Sequence, residues 1–425
     1  MTGRARTRRS VAGPLAVAVA LGTGGTLALP AVAGASGRSA STITIGYIGD
    51  FTGVSSSTFA DGFGGAEARV DLQNAEGGVN GHKLKLVSVD TQSSPTQTAT
   101  AVQELISVDH VFGIVEDSAF FFGGAKYAQQ AGVPVTGFGI DGPEWNEQPY
   151  TNMFDVFPPS IGPINGVTYT TTTAANFMKR LGVTKFGILG YGISPSSTRG
   201  VKAEVYTMQK AGIGICYENL SVPFGGVDFT ADVLQIKQAG CDGLATSFED
   251  ASDIAIGQAI KNAGLHLKAQ LYSEGYDNTV LHNAAARAAI NGDYFATPIN
   301  FSTPNAATRQ MLDALKKYDP GFASGGIPDL GLYSGYLATD LMITGLRHAG
   351  KDPTQAAFIH NLRQVGDYTA NGILSSPTTF QHFGTAAMLP KRSCSWFVQL
   401  RGSSFVVYNG GKPLCGTLVA VPGLS

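Results

Sequence analysis

The 425-residue sequence contains no His-Glu-x-x-His stretch, no Gly-Lys-(Ser/Thr) phosphate loop and no Gly-x-Ser-x-Gly elbow. Its seven histidines are scattered. These absences remove the local signatures of zinc hydrolases, phosphate-loop enzymes and serine hydrolases of the α/β type. A triad built from distant residues needs no motif, but nothing here points to one. The expectation is a protein that is not an enzyme, with no catalytic residues, no cofactor and no metal. Cysteine is scarce too. The four are Cys216, Cys241, Cys394 and Cys415, and none forms a Cys-x-x-Cys pair, which disfavours a zinc site. None precedes Cys216, so no lipid can be carried by a cysteine early in the chain. Charge is sparse at 14%, with a formal net of −2. Such a balance suits neither nucleic acid nor an anionic membrane surface.

The start of the chain is different. Residues 1–35 carry Arg4, Arg6, Arg8 and Arg9, then an apolar stretch, then small residues at Ala31-Val32-Ala33 and Ala33-Gly34-Ala35. Basic, apolar and small in that order is the pattern of a secretory signal peptide. Loss of its four arginines would take the net charge from −2 to −6. No second long apolar run follows that could cross a membrane. The expected location is secreted, extracellular or periplasmic. In an exported chain an even cysteine count suggests disulfides. Neighbours in sequence pair most simply, 216–241 and 394–415, each loop contributing roughly 3 kcal/mol; the other pairings remain open.

From residue 42 strands and helices alternate. "ITIGYIGDFTG" is β-rich, a loop through Ser55–Ser57 follows, and "GGAEARVDLQNAE" reads as a helix. "NAEGGVNGHKLKLVSVD", residues 74–90, ends that helix at Gly77-Gly78 and turns at Asn80-Gly81. Leu84 and Leu86 then share one face of a strand. Val102, Leu105 and Ile106 mark the next helix, "HVFGIVED" and "VPVTGFG" read as strands, and "AFFFGGAKYAQQAG" reads as the helix between them. The pattern restarts after "FDVFPPS", with "INGVTYTTTTAANFMKRLG" read as a helix. "KFGILGYG", "IGICYENL", "CDGLATSF" and "KAQLYSEG" read as strands separated by helices. The chain crosses again near "YFATPINFS", helices follow at 305–318 and 332–349, and "SWFVQLRGSSFVVYNGG" reads as a β-hairpin. Strand–helix alternation implies parallel sheets covered by helices. The fold expected is α/β: two Rossmann-like parallel-sheet lobes joined by a multi-crossing hinge, with a ligand cleft between them. Residues 42–157 plus about 298–372 form one lobe, and 158–297 plus about 373–425 the other. "GFGIDG", residues 137–142, fits the dinucleotide fingerprint, but it follows a late strand and opens no clean helix.

Several segments together resemble the branched-chain amino-acid-binding (Leu/Ile/Val-binding) family of type I periplasmic binding proteins, which serve ABC importers. They are "GGVNGHKLKLVSVDTQSSP", "AQQAGVPV", "DFTADVLQIKQAGCDGL", "LYSEGYDN" and "GLYSGYLATDLM", in that order. The resemblance implies capture of a small polar ligand, an amino acid or something like it, by hinge closure. It also implies handover to membrane permease subunits by a monomeric receptor. A secreted sensor or scaffold acting through a membrane partner is the rival. The ligand residues implied are Ser118, Ile140, Asp141, Phe248 and Glu274. Tyr191 is the nearest replacement for a family tyrosine that is unmatched, with Ser197 close to its position. Glu116, Asp117 and Asp141 would make one cleft wall acidic. That points to a cationic, amide or polyol ligand, because a carboxylate beside Asp141 would be repelled while Glu274 can pair an ammonium. The Gly77–Gly81 corner is then scaffold.

Overall fold

The computed structural model describes residues 41–140, 142–157 and 163–424. The expected leader and Asp141 lie outside the described residues. The chain opens with β1 (Thr42–Gly49), α1 (Ser56–Phe59), α2 (Gly62–Ala75), β2 (Lys83–Asp90), α3 (Pro95–Ser107), β3 (Ile114–Asp117), α4 (Phe122–Ala131), β4 (Val135–Gly137) and β5 (Met153–Asp155). These strands form one parallel sheet in the order β2-β1-β3-β4-β5. Every residue of β3 is buried, as suits a central strand covered on both faces. α3 starts with Pro95 in its first turn and buries Thr98, Ala101, Val102 and Leu105, one stripe at helical spacing. That stripe and α4 enclose a core with Ile48, Ile114, Val135 and Trp145.

The second run comprises β6 (Pro163–Ile164), β7 (Val167–Thr171), α5 (Thr173–Arg180), β8 (Lys185–Tyr191), α6 (Pro195–Lys210), β9 (Gly214–Val222), α7 (Thr230–Ala239), β10 (Gly243–Ser247), α8 (Asp250–Asn262), β11 (Ala269–Tyr272), α9 (Asn278–His282), α10 (Ala284–Ala289) and β12 (Tyr294–Thr297). The chain then returns to the first sheet with α11 (Ala306–Tyr318), α12 (Leu330–Ala349) and α13 (Gln355–Leu362); α12 packs on α2, β3 and β4. It ends in the second sheet with β13 (Arg392–Arg401), β14 (Ser404–Val407) and β15 (Leu414–Val421). That sheet runs β6-β7-β15-β13-β12-β11-β10-β8-β9, with β14 on β13. Its β9-to-β12 half is parallel, and the rest pairs antiparallel.

The segment read as a single helix from Ile164 is instead β6, β7 and only then α5. Its threonines are β-branched and favour extended backbone. β15, which no local pattern announced, gives them a partner: Thr168 pairs Val421 and Thr170 pairs Val419. The loop expected at Ser55–Ser57 contains the short α1, and the crossing expected at "YFATPINFS" begins as β12. The hairpin turns at Arg401 and Ser404.

Both neighbour-in-sequence disulfides are present. Cys394 and Cys415 face each other across β13 and β15. Cys216 is the extra residue of a bulge in β9, between Ile215 paired to Phe186 and Tyr217 paired to Gly187, and bonds Cys241 just ahead of β10.

The Gly77–Gly81 corner is scaffold in a specific way. Gly77, Gly78, Asn80 and Gly81 all have positive φ, which only glycine and asparagine adopt readily. The Asn80 amide donates to Leu346 O at 3.1 Å and Gly350 O at 2.8 Å, closing the carbonyl end of α12. Asn80→Ala removes these bonds and puts alanine at positive φ. It is expected to cost about 1–2 kcal/mol in denaturant unfolding.

Candidate functional site

The two parallel arrays are wound alike, β2-β1-β3 in the first sheet and β9-β8-β10 in the second. In each, successive connections leave toward opposite sides, so a crevice opens at the carboxyl ends of the two central strands. In the first sheet those ends carry Asp50 and Ser118. The Ser118 hydroxyl donates to Asp50 Oδ1 at 2.6 Å, the Ala119 N–H donates to Asp50 Oδ2 at 3.0 Å, and the Thr91 hydroxyl also donates to Asp50. In the second they carry Tyr191 and Glu249. The Tyr191 hydroxyl donates to Glu249 Oε2 at 2.7 Å, while Glu249 caps α8 by accepting from the Ser252 N–H at 3.2 Å.

Between these ends lies a cavity of about 260 Å³. The first lobe contributes Phe59, Ala119, Phe138, Ile140, Leu330 and Tyr333, and the second contributes Tyr191, Phe224, Phe248, Glu249, Ser273 and Glu274 among others. Tyr191 lies 4.3 Å from Phe224 and 4.8 Å from Phe248, ring centre to ring centre. Contacts bridge the lobes around the cavity. Phe120 meets Phe224 at 5.1 Å, and the Thr58 hydroxyl donates to Glu274 Oε2 at 2.8 Å. A larger hollow of about 670 Å³ lies among α7, α8 and α10 and has only the second lobe as wall.

The electrostatics are one-sided. No Lys, Arg or His lines the cavity among the described residues, but Glu249 and Glu274 do. Asp277 and Asp329 lie close behind and are held as N-caps, Asp277 by the Val280 N–H at 2.8 Å and Asp329 by the Leu332 N–H at 2.8 Å. Helix N-termini favour such charges. Glu274 follows β11 and caps no helix. Burial pushes its carboxyl up to about 8, with the charges of Glu249, Asp277 and Asp329 adding to the rise and the Thr58 hydroxyl opposing it. Burial also raises Glu249, against the bonds from Tyr191 and Ser252.

Of the residues expected from sequence, Ile140, Tyr191, Phe248 and Glu274 line the cavity. Ser118 does not; it is 1% exposed, bound to Asp50, and accepts the Phe120 N–H at 3.1 Å. Its neighbour Ala119 stands at the wall instead. Glu116 and Asp117 do not form the expected acidic wall. Both are fully buried in β3, where Asp117 accepts from the Tyr47 hydroxyl at 3.0 Å and the Ser334 hydroxyl at 2.6 Å. Strand alternation and the α12 packing turn them into the lobe. Ser197 lies in the first turn of α6, lines the cavity and donates to Ser247 O at 3.3 Å. Trp145 is core. Sequence reading missed Glu249, Phe59, Phe224 and Tyr333. Only the position of Glu249 directly after a strand was a usable signal; the others come from segments far apart in the chain.

Residues 42–406 match the periplasmic binding protein family. A Leu/Ile/Val-binding protein homologue from Brucella suis is 28% identical over 300 residues, 67% of this chain and 73% of that protein. An amino acid binding protein from Pseudomonas aeruginosa is 28% identical over 130 residues, 30% of this chain and 35% of that protein's length. Among solved structures, a solute-binding protein from R. palustris in complex with benzoate superposes with a TM-score of 0.71 at 16% identity, covering 90% of this chain and 99% of that one. A leucine-binding protein from Thermotoga maritima gives 0.70 at 17%, covering 88% and 98%.

Proposed function

The chain belongs to the periplasmic binding protein family, in its type I two-lobed form, and from that premise we propose that it captures a small ligand in the cavity between its lobes and delivers it to the permease of an ABC importer. The family binds solutes and is not one of enzymes. Export to the periplasm or cell exterior belongs to this reading, and so does opening and closing about the segments that pass between the sheets. The observation that carries it is the cavity of about 260 Å³ at the strand ends of both sheets, with walls from each lobe.

The chemistry of the walls narrows the ligand. In this reading Ile140, Tyr191, Phe248 and Glu274 are contact residues, and Ser118 acts through Asp50 by holding the first crevice in shape. The first lobe offers Phe59, Ala119, Phe138, Ile140, Leu330 and Tyr333, a largely apolar wall with no cation for a carboxylate among the described residues. The second offers Glu274 and Glu249 beside a cluster of aromatic rings, which suits a cationic nitrogen on an apolar body. An amine is favoured over a zwitterionic amino acid.

A thermal-shift panel of amino acids, amides, amines, polyols and aromatic acids tests this. A true ligand at a hundred times its dissociation constant adds about 2.7 kcal/mol of stability, and failure of every class to shift the melting temperature would overturn the reading. The unliganded protein has a pH signature of its own. Glu274 holds its proton up to about 8 when folded but releases it near the ordinary carboxylate range when unfolded. The folded state therefore binds more protons between those limits, and stability falls as pH rises through that window. Melting temperatures from pH 5 to about pH 8 check the sign, with Glu274→Gln expected to reduce the slope and the raised Glu204 and Glu249 supplying part of what remains.

A further inference from the structure

A second cavity, of about 390 Å³, opens beside the first and shares with it Phe138, Ile140, Ser247, Ser273, Ala296 and Pro298. It runs toward the segments that cross between the lobes, with Thr171 and Ser375 among its hydroxyl-bearing walls. It too has no Lys, Arg or His in its lining among the described residues. Its carboxyls are Asp155 and Glu204. Asp155 is committed to the backbone, accepting the Gly139 N–H at 3.2 Å and the Phe157 N–H at 2.9 Å. Glu204 is not. Its Oε1 is shut off from solvent and has no hydrogen-bond partner among the described residues. Burial alone pushes the Glu204 carboxyl up to about 7, with no neighbouring charge contributing. A carboxyl oxygen without a donor is costly, and the half-buried Glu204 side chain borders this chamber.

The first chamber ends at Glu274 and Glu249, the shared neck is walled by Phe138, Ile140, Ala296 and Pro298 with Ser247 and Ser273, and the second chamber contains Glu204. Carboxyl, largely apolar neck, carboxyl is the complement of a chain with a cationic nitrogen at each end. Resting on the reading that the cleft is the ligand site, we propose that the ligand is a linear diamine or polyamine, with one nitrogen at Glu274 and Glu249 and the other at Glu204. The methylene chain between them fills the neck, and the hydroxyls of the second chamber accept the remaining N–H groups.

Titration calorimetry of the full chain with putrescine, cadaverine and spermidine, against butylamine, leucine and benzoate, tests the assignment. A diamine is expected to bind about tenfold or more tighter than the monoamine, as a charge-assisted pair at the second nitrogen implies. Glu204→Gln is expected to bring that ratio to about one, and Glu204→Ala, which enlarges the chamber, to do the same. A ratio near one in the native chain, or a ratio unmoved by both substitutions, overturns the proposal. Binding of leucine or benzoate without any amine overturns it while the solute-binding function stands, and binding of nothing in the wider panel removes both.

Discussion

Glu274→Gln is expected to weaken binding of an amine ligand by about 10- to 100-fold, the loss of one charge-assisted hydrogen bond. Glutamine keeps the size of the side chain and an oxygen to accept from Thr58, so the closed contact between the lobes survives and only the charge is lost. The pH profile separates this from a structural defect. The Glu274 carboxyl is pushed up to about 8 by burial and by the charges of Glu249, Asp277 and Asp329; Thr58 is the donor that opposes the rise. An ammonium favours the carboxylate, so binding expels the proton. Affinity of the native protein should therefore rise about tenfold per pH unit below the pKa and level off above it. The Gln variant should show a much shallower slope, with what remains coming from the raised Glu249. Calorimetry from pH 6 to about pH 9 measures both. A native profile that is flat, or that falls with pH, would mean that no cation sits at Glu274.

The second large effect is on stability. α2 and α12 approach so closely that a Cβ on Gly65 would collide with the backbone oxygen of Leu332, and one on Gly335 with that of Gly62. Backbone atoms cannot rotate away as a side-chain tip can, so the helices must separate. Their interface includes the Arg69–Asp340 pair at 2.9 Å, both residues at most 5% exposed, and the Arg69 guanidinium 6.0 Å from the centre of the buried Tyr336 ring. Gly65→Ala is expected to cost about 3 kcal/mol, at the upper end for overpacking, and the double variant with Gly335→Ala more than either alone. Chemical denaturation reads this directly. A loss under about 1 kcal/mol would mean that α12 shifts on α2 without strain.

Much of the architecture was legible because local chemistry and long-range packing agree. The α3 stripe of Val102 and Leu105, the Gly77–Gly81 corner and the apolar run of β8 are dictated by side-chain periodicity and backbone freedom, which act over a few residues. The threonine run at 168–173 was misread because its partner strand, β15, lies about 250 residues away in sequence. Glu116 and Asp117 were misread for a related reason. An acid at a strand end looks solvent-facing until Tyr47 and Ser334, from β1 and α12, are seen to donate to Asp117.

The sequence by itself determined the α/β alternation, the family resemblance and Glu274 as a candidate, since each rests on spacing and residue type; it left the cysteine pairing open, and the fold closed it as 216–241 and 394–415. Tertiary structure alone decided that Ser118 bonds Asp50, that Glu249 joins Glu274, and that Glu204, its Oε1 without a partner among the described residues, borders an adjoining chamber. A cavity is bounded by residues that folding brings together from both lobes. A carboxyl's charge state, too, depends on what surrounds it after burial, and neither property is carried by any single stretch of chain.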